Sequence, residues 1–599
     1  MRGIRQSGSL IALLVAAGCG GPPAAAPANG PPAPAQKAAV STAPSFPTTH
    51  ESADKTERPA PPGLVAMREE LARAMQTLGK AKPNVHHLAY TVTAHEQVSL
   101  DGEYGTIASD SKHENRSLDV DLRVGTPQFD SSHPSRSVAP AHGHHQTLPL
   151  GDDAIALKQV AWIATDGAYK DAAERFVSLQ NQKDVKAEDE DKSPDFSQEP
   201  PQKWIGAPPP PLGLDLEQWR GRLRTLSAMF KGDKEIHDAH VSLVAGRRTR
   251  WYLDSAGSEL AFGERSYRVM ITARTQADDG MPLGLFKSFE AWSPESLPTD
   301  AQMSAAIKEM QQTLHGLRRA PLAEPFAGPA ILEGRAAGVF FHEVIGHRLE
   351  AHRLRNDFDG QTFGKKLNEP VMPSFLTLYD DPTIKKLGDV ELNGHFFYDD
   401  EGVAAQRATL VDKGVLKGFL FGRTPARGLV ASNGHGRRQE GMPLVARQGN
   451  LVLEASETVP KATLRQRLVE EAKKQGRAYG LRFVDIQGGF TDTSRFGTQG
   501  FKVMPTVVYR VYVDGRPDEL IRGVDIVGTP LAMLMRIQAA GDDHDVFNGV
   551  CGAESGWVPV SATAPSLLVG QIETALKDKG NTKPPVLESP AFQNDEEVQ

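Results

Sequence analysis

Six consecutive residues, His342-Glu-Val-Ile-Gly-His347, enclose a carboxylate between two imidazoles and follow the apolar run Val339-Phe-Phe341. Two metal ligands and a base between them are the parts from which a metal-dependent hydrolase is built. The spacing is five rather than four. At 3.6 residues per turn, side chains five apart on an undistorted α-helix point roughly 140° away from each other, so a regular helix cannot chelate one ion with both rings. A π-bulge closes from i to i+5 and would realign them, and Gly346 weakens the local preference for an ordinary helical turn. The competing reading is a chance match in a chain that contains 18 histidines.

Catalytic zinc usually takes three protein ligands and leaves one position for water. The chain holds two cysteines, Cys19 and Cys551. Cys19 ends an N-terminal export signal, so Cys551 has no disulfide partner in the mature chain and is a candidate third ligand; the alternative is a buried structural cysteine. Its surroundings, Asn548-Gly-Val-Cys-Gly-Ala-Glu-Ser-Gly-Trp-Val-Pro-Val560, read as a glycine-rich loop running into a Val-rich strand. One thiolate with two neutral imidazoles is a borderline-soft set that favours Zn2+ over magnesium or calcium.

The stretch Gly338-Val-Phe-Phe-His-Glu-Val-Ile-Gly-His-Arg-Leu-Glu350, together with the Cys551 segment, resembles the TldD/PmbA family of metallopeptidases, on the TldD side that keeps its metal motif. Asp399-Asp-Glu-Gly402, Asn433-Gly-His-Gly-Arg-Arg438, Gly488-Gly489 and Gly528-Thr-Pro530 agree in order. The similarity runs from about Pro329 to Val569 and is weaker before it. It implies a zinc site of His342, His347 and Cys551, with Glu343 as the base that deprotonates water and passes the proton to the leaving amine. The implied substrates are unfolded or extended peptides. The implied partner is a second copy or a metal-free PmbA-type subunit, giving a homodimer or heterodimer. A peptide-binding or assembly factor with a structural metal site is the alternative function.

Other polar residues have weaker claims. Glu350 and His352 would follow on the same helix and could hydrogen-bond the ligand rings, or serve as capping and surface groups. Asn433, Arg437 and Arg438 are candidates for holding a substrate backbone or carboxylate, or else brace a loop. A net charge of −8 leaves no footprint for nucleic acid.

These residues need a frame. The expected fold class is α+β: an N-terminal α/β-layered domain over 63–325, then a β-rich domain over 326–575 that carries the metal-binding helix. Leu64, Met67, Leu71, Met75 and Leu78 repeat at helical spacing, and alternation around Leu88 to Val98 and Leu118 to Val124 predicts strands. Further helices are expected at Leu216 to Phe230 and Ala305 to Leu317, further strands through Val241 to Thr275, and a short strand at Ala330-Ile-Leu332. Thr409 to Leu420 and Thr506 to Val513 predict strands with turns at Lys413-Gly414 and Asp514-Gly515. Insertions near 127–148, with His133, His142, His144 and His145, and 181–211 are expected as solvated loops.

Ahead of the first domain, Arg2 and Arg5 precede the apolar run Leu10 to Ala17, and Ala17-Gly-Cys19 closes it with small residues. This resembles a bacterial lipoprotein signal over 1–19, with Cys19 lipidated and the protein held in the cell envelope; secretion without lipid is the alternative. Residues 20–62 are rich in Pro, Ala, Ser and Thr, which predicts an extended tether. Residues 576–599 read as a flexible tail.

Overall fold

A computed structural model describes residues 41–42, 47–54, 56–135, 138, 143–183, 191–356, 358–497, 499–578, 585 and 587. The expected signal, Cys19, His142 and most of the expected tail lie outside the described residues.

Long alternating stretches form the first layer. Val85–Glu103, Thr106–Thr126, Asp238–Asp254, Glu259–Gln276 and Pro282–Ala291 pair antiparallel in one sheet, with Pro282–Ala291 along one edge. Successive residues of a strand point to opposite faces. Leu88, Tyr90 and Val92 therefore meet the helices Pro62–Leu78 and Ala154–Lys183, while Val98 and Leu100 on the same face meet Leu216–Ser227 and Asp300–Arg319. The last of these starts on a capping box in which Thr299 and Gln302 satisfy each other's backbone N–H groups. Ala89, on the opposite face, packs with Tyr252, Leu260, Phe262 and Tyr398, joining this sheet to the C-terminal half.

The C-terminal half is built on two sheets. In the first, Ala327–Leu332 pairs parallel with Tyr479–Thr491 and antiparallel with Leu567–Leu576, so the ladder through Phe501–Tyr512 and Val524–Gly528 closes on itself. The second, six-stranded sheet ends in the hairpin Asp545–Ala553 and Gly556–Ala564, with Asp545–Ala553 at its edge. Helix Gly334–Val344 is buried along its length in the core that both sheets share. The turn at Lys413-Gly414 forms as expected, with φ of 47° and 80°. The whole is a mixed α+β fold.

Two expectations fail. The stretch 20–62 is not a tether throughout: Ser41–Thr42 pairs with Glu457–Thr458, and Thr48–His50 pairs with Ile384–Leu387. Glu51 adds an ion pair with Lys385. Backbone pairing asks little of side-chain polarity, which is why composition did not reveal it. The insertions are also not simply solvated loops. Helix Ala154–Lys183 runs into the second, and beyond it Asp195 and Phe196 are buried, with Asp195 paired to Arg355 at 2.6 Å and Phe196 stacked under Arg423. In the first insertion, His144–Thr147 is a strand beside Thr106–Thr126.

Candidate metal centre

Helix Gly334–Val344 ends one residue after Glu343. Ile345 leaves helical geometry at φ −126°, ψ −38°, and a separate 3-10 turn, Gly346–Leu349, carries His347. No π-bulge forms; a break between two helical pieces turns the second ring back toward the first. Gly346 also lets the Gln448 amide close over the break, since a Cβ there would lie 2.1 Å from that side chain and push it aside. Arg348 fixes the break, donating to the Glu343 and Val344 carbonyls at 2.9 and 3.3 Å and to the Asp492, Gln499 and Gly500 carbonyls of the adjacent hairpin.

The third candidate ligand arrives on the edge strand Asp545–Ala553, not on a loop. The Nε2 atoms of His342 and His347 each lie 3.2 Å from Cys551 Sγ, and the three ligand atoms fall within 4.8 Å of one another. Burial alone would raise the Cys551 thiol, but the adjacent His347 and His342 outweigh it and bring the thiol well below its ordinary value. Burial would lower His347, yet Cys551 and Glu350 lift it well above the imidazole range. The two shifts describe a thiolate beside an imidazolium; a bound cation would take the place of the His347 proton and leave the thiolate as ligand.

Glu350 orients His347. Its Oε1 accepts from His347 Nδ1 at 3.1 Å, which leaves Nε2 facing Cys551. Glu350 is buried, yet His347 and Arg353 overcome that burial and hold its carboxyl down at about 2. Arg353 contacts it at 2.8 Å and is itself tied to Asp359 and Glu554.

A cavity of about 600 Å3 opens on these groups. His342, Glu343, His347, Gly489 and Cys551 line it, and Phe490, Val550 and Trp557, all exposed, stand at its mouth. Glu343 is 6% exposed and its Oε2 has no hydrogen-bond partner among the described residues. Burial raises its carboxyl above the ordinary value. Gly489 makes room for it, because a Cβ there would lie 2.6 Å from Glu343 Cγ. Three nitrogen and sulfur donors converging beside an orphaned carboxylate fit a zinc ion with one side open to a cavity.

Residues 327–576 match the model for the PmbA/TldA metallopeptidase C-terminal domain. Over this stretch the chain is similar to metallopeptidase domains of the PmbA/TldD type. A metalloprotease of Archaeoglobus fulgidus is 29% identical over 347 residues, covering 56% of this chain and 74% of that protein. A zinc metalloprotease TldD homolog of Saccharolobus solfataricus is 28% identical over 254 residues, covering 42% of this chain and 52% of that protein. TldE from Thermococcus kodakarensis superposes with a TM-score of 0.55 at 14% identity, over 85% of this chain and 100% of its own, a likeness in fold.

Other candidates sit elsewhere in or around the metallopeptidase domain. Asn433 accepts from the Phe421 N–H and donates to the Phe419 carbonyl, and Arg437 donates to the carbonyls of Gln448 and Pro559 at 2.6 and 2.7 Å. Neither lines the metal cavity; both brace loops. Arg438 also lies outside it, donating to Thr91 Oγ1. His352 is on a 3-10 turn rather than a continuing helix and bonds Glu554, not a ligand ring. His133, His144 and His145 are engaged by Asp195, Asp171 and Asp119. The far wall was missed altogether: Arg268, Met270, Phe286 and Glu290, from the edge of the N-terminal sheet, face the cavity, with Glu290 accepting from Arg268 at 3.0 Å. Ordinary strand alternation contains no signal for that role.

Proposed function

We propose that this metallopeptidase binds zinc through His342, His347 and Cys551 and hydrolyses unfolded or extended peptides, with Glu343 as general base. The observation that carries the reading is the Glu343 carboxylate, buried, unsatisfied at Oε2 and lining the cavity beside the three converging donors. Zinc held there would supply Lewis acidity, polarising the scissile carbonyl and acidifying water.

Glu343 takes the water's proton and returns it to the leaving nitrogen; its raised affinity for a proton suits both halves of that exchange. Glu350 keeps His347 in the tautomer that offers Nε2. Phe490, Val550 and Trp557 offer apolar surface to substrate side chains, and the edge strand Asp545–Ala553 offers backbone groups to an extended chain. A cavity of about 600 Å3 admits a peptide segment and excludes a folded domain.

The reading extends to a protein exported to the cell envelope, anchored through lipid on Cys19, working as a homodimer or with a PmbA-type subunit. Metal analysis of the purified protein, paired with cleavage of an unstructured peptide, tests the catalytic core. Stoichiometric zinc and turnover abolished by chelation are expected. Zinc without turnover would favour the assembly-factor alternative.

A further inference from the structure

A second cavity of about 570 Å3 lies between the N-terminal sheet and the C-terminal half, apart from the metal cavity. Four arginines line it: Arg123, Arg175, Arg355 and Arg438. Guanidinium groups drawn out of water need counter-charge or several acceptors; Arg123 and Arg175 are buried, Arg355 and Arg438 partly so, and the four differ in what they have. Arg355 pairs with Asp195 at 2.6 Å, and Arg123 lies 3.7 Å from both Asp121 and Asp130. Arg175 has only the backbone carbonyls of Ser131, His133 and Val138. The Arg438 side chain has only the Thr91 hydroxyl, at 3.3 Å. Neither of these two makes an ion pair among the described residues. Of the carboxylates among the described lining residues, Asp195 is taken by Arg355 and His133 and Asp171 stands beside His144, while Asp121 lies 3.7 Å from Arg123 and also acts at longer range on Arg438.

One further group in this wall has an unmet nitrogen. His352 turns Nε2 to Glu554, and its buried Nδ1 has no hydrogen bond.

We propose that this second cavity is an anion-binding site, in which Arg175 and Arg438 receive a carboxylate or an oxyanion of the sulfate and phosphate type. Guanidinium forks match both geometries, and neither of these two has a carboxylate within ion-pair distance, so a ligand would supply the close counter-charge that Asp121, Asp130 and Asp195 supply only at longer range. The cavity is of a size for a small organic anion or the end of a peptide. Its wall also touches the metal centre's support: His352 holds Glu554, Glu554 holds Arg353 at 3.2 Å, Arg353 holds Glu350 at 2.8 Å, and Glu350 holds His347. The anion site is thus placed to bias the orientation of a metal ligand.

Isothermal titration calorimetry on the full-length protein tests this with two probes, inorganic sulfate and N-acetyl-Ala-Ala-Glu. Binding of at least one is expected, weakened about tenfold or more in Arg438→Met and in Arg175→Met, and restored in part by Arg438→Lys. Sulfate binding would identify a free anion as sufficient, whereas binding of the peptide alone would identify an acidic chain end. Cys551→Ala should leave the response in place, which separates this site from the metal centre and makes the result independent of peptidase activity. Circular dichroism confirms that each variant is folded. No binding of either probe, or binding undiminished in both arginine-to-methionine variants, would overturn the proposal.

Discussion

Two buried acidic clusters in this protein have opposite meanings. At the metal centre, Glu343 is enclosed, leaves an oxygen unsatisfied and faces a cavity. At the junction of the two halves, Asp399 is equally enclosed but accepts from the backbone N–H groups of Glu401, Val403 and Gly436. Burial and the neighbouring Glu401 push Asp399 up to about 8. A raised carboxyl is therefore not by itself the mark of a catalytic group. What separates the two is whether the oxygens are occupied by the protein's own donors or left for a substrate. Asp399-Asp-Glu-Gly402 is a scaffold in this sense: Asp400 pairs with Arg250 of the N-terminal sheet, and Glu401 accepts from the Arg423 N–H.

Variants can break or sharpen that contrast. The largest effect is expected from Cys551→Ala or His347→Ala, which should abolish zinc retention and reduce hydrolysis to background while leaving the fold detectable by circular dichroism. Full metal occupancy in either would remove that residue from the ligand set. Next comes Glu350→Gln. With the charge opposite His347 gone, zinc affinity should fall about 10- to 100-fold, measured by competition with a chromogenic chelator. Arg437→Met should act on the scaffold side, leaving the Gln448 and Pro559 carbonyls without their donor. A loss of about 1–3 kcal/mol in denaturant unfolding is expected, with turnover per bound zinc unchanged.

The smallest effect concerns pH. A carboxyl raised to about 8 in the folded state binds a proton more tightly there than in the unfolded chain. Its contribution to stability is fully present below the ordinary carboxylate range and is lost as pH rises through about 8. Asp399→Asn cannot titrate, so its melting temperature should decline less steeply between pH 5 and 9 than that of the parent protein. Equal slopes would show that Asp399 does not carry this dependence.

Much of the catalytic half was legible because its chemistry rests on rare residue types. Cys551 is the one cysteine after Cys19, and two histidines flank one glutamate, so the candidate set was short. The helix from Pro62 and the strand before the metal helix followed from apolar periodicity. The five-residue spacing showed that the helix must distort, but not how. The break at Ile345 is held by Arg348, which joins the helix-end carbonyls to hairpin carbonyls about 150 residues away. Contacts of that kind leave no periodic trace in the chain.

The same blindness explains the other failures. Asp195 and Phe196 sit in a polar, proline-rich stretch and read as solvated until Arg355 and Arg423 are brought against them. Thr48–His50 reads as tether because a strand added at an edge gains its hydrogen bonds from a distant partner. For Asn433 and Arg437 the sequence left substrate contact and loop bracing both open, because either role uses the same side chains; the backbone groups they meet in the fold are those of braced loops.

The most direct test of the central claim is Glu343→Gln, assayed for bound zinc and for peptide cleavage on the same preparation. Zinc at the parental stoichiometry is expected, with turnover reduced about 10^2- to 10^4-fold. Parental turnover with zinc still bound would contradict it.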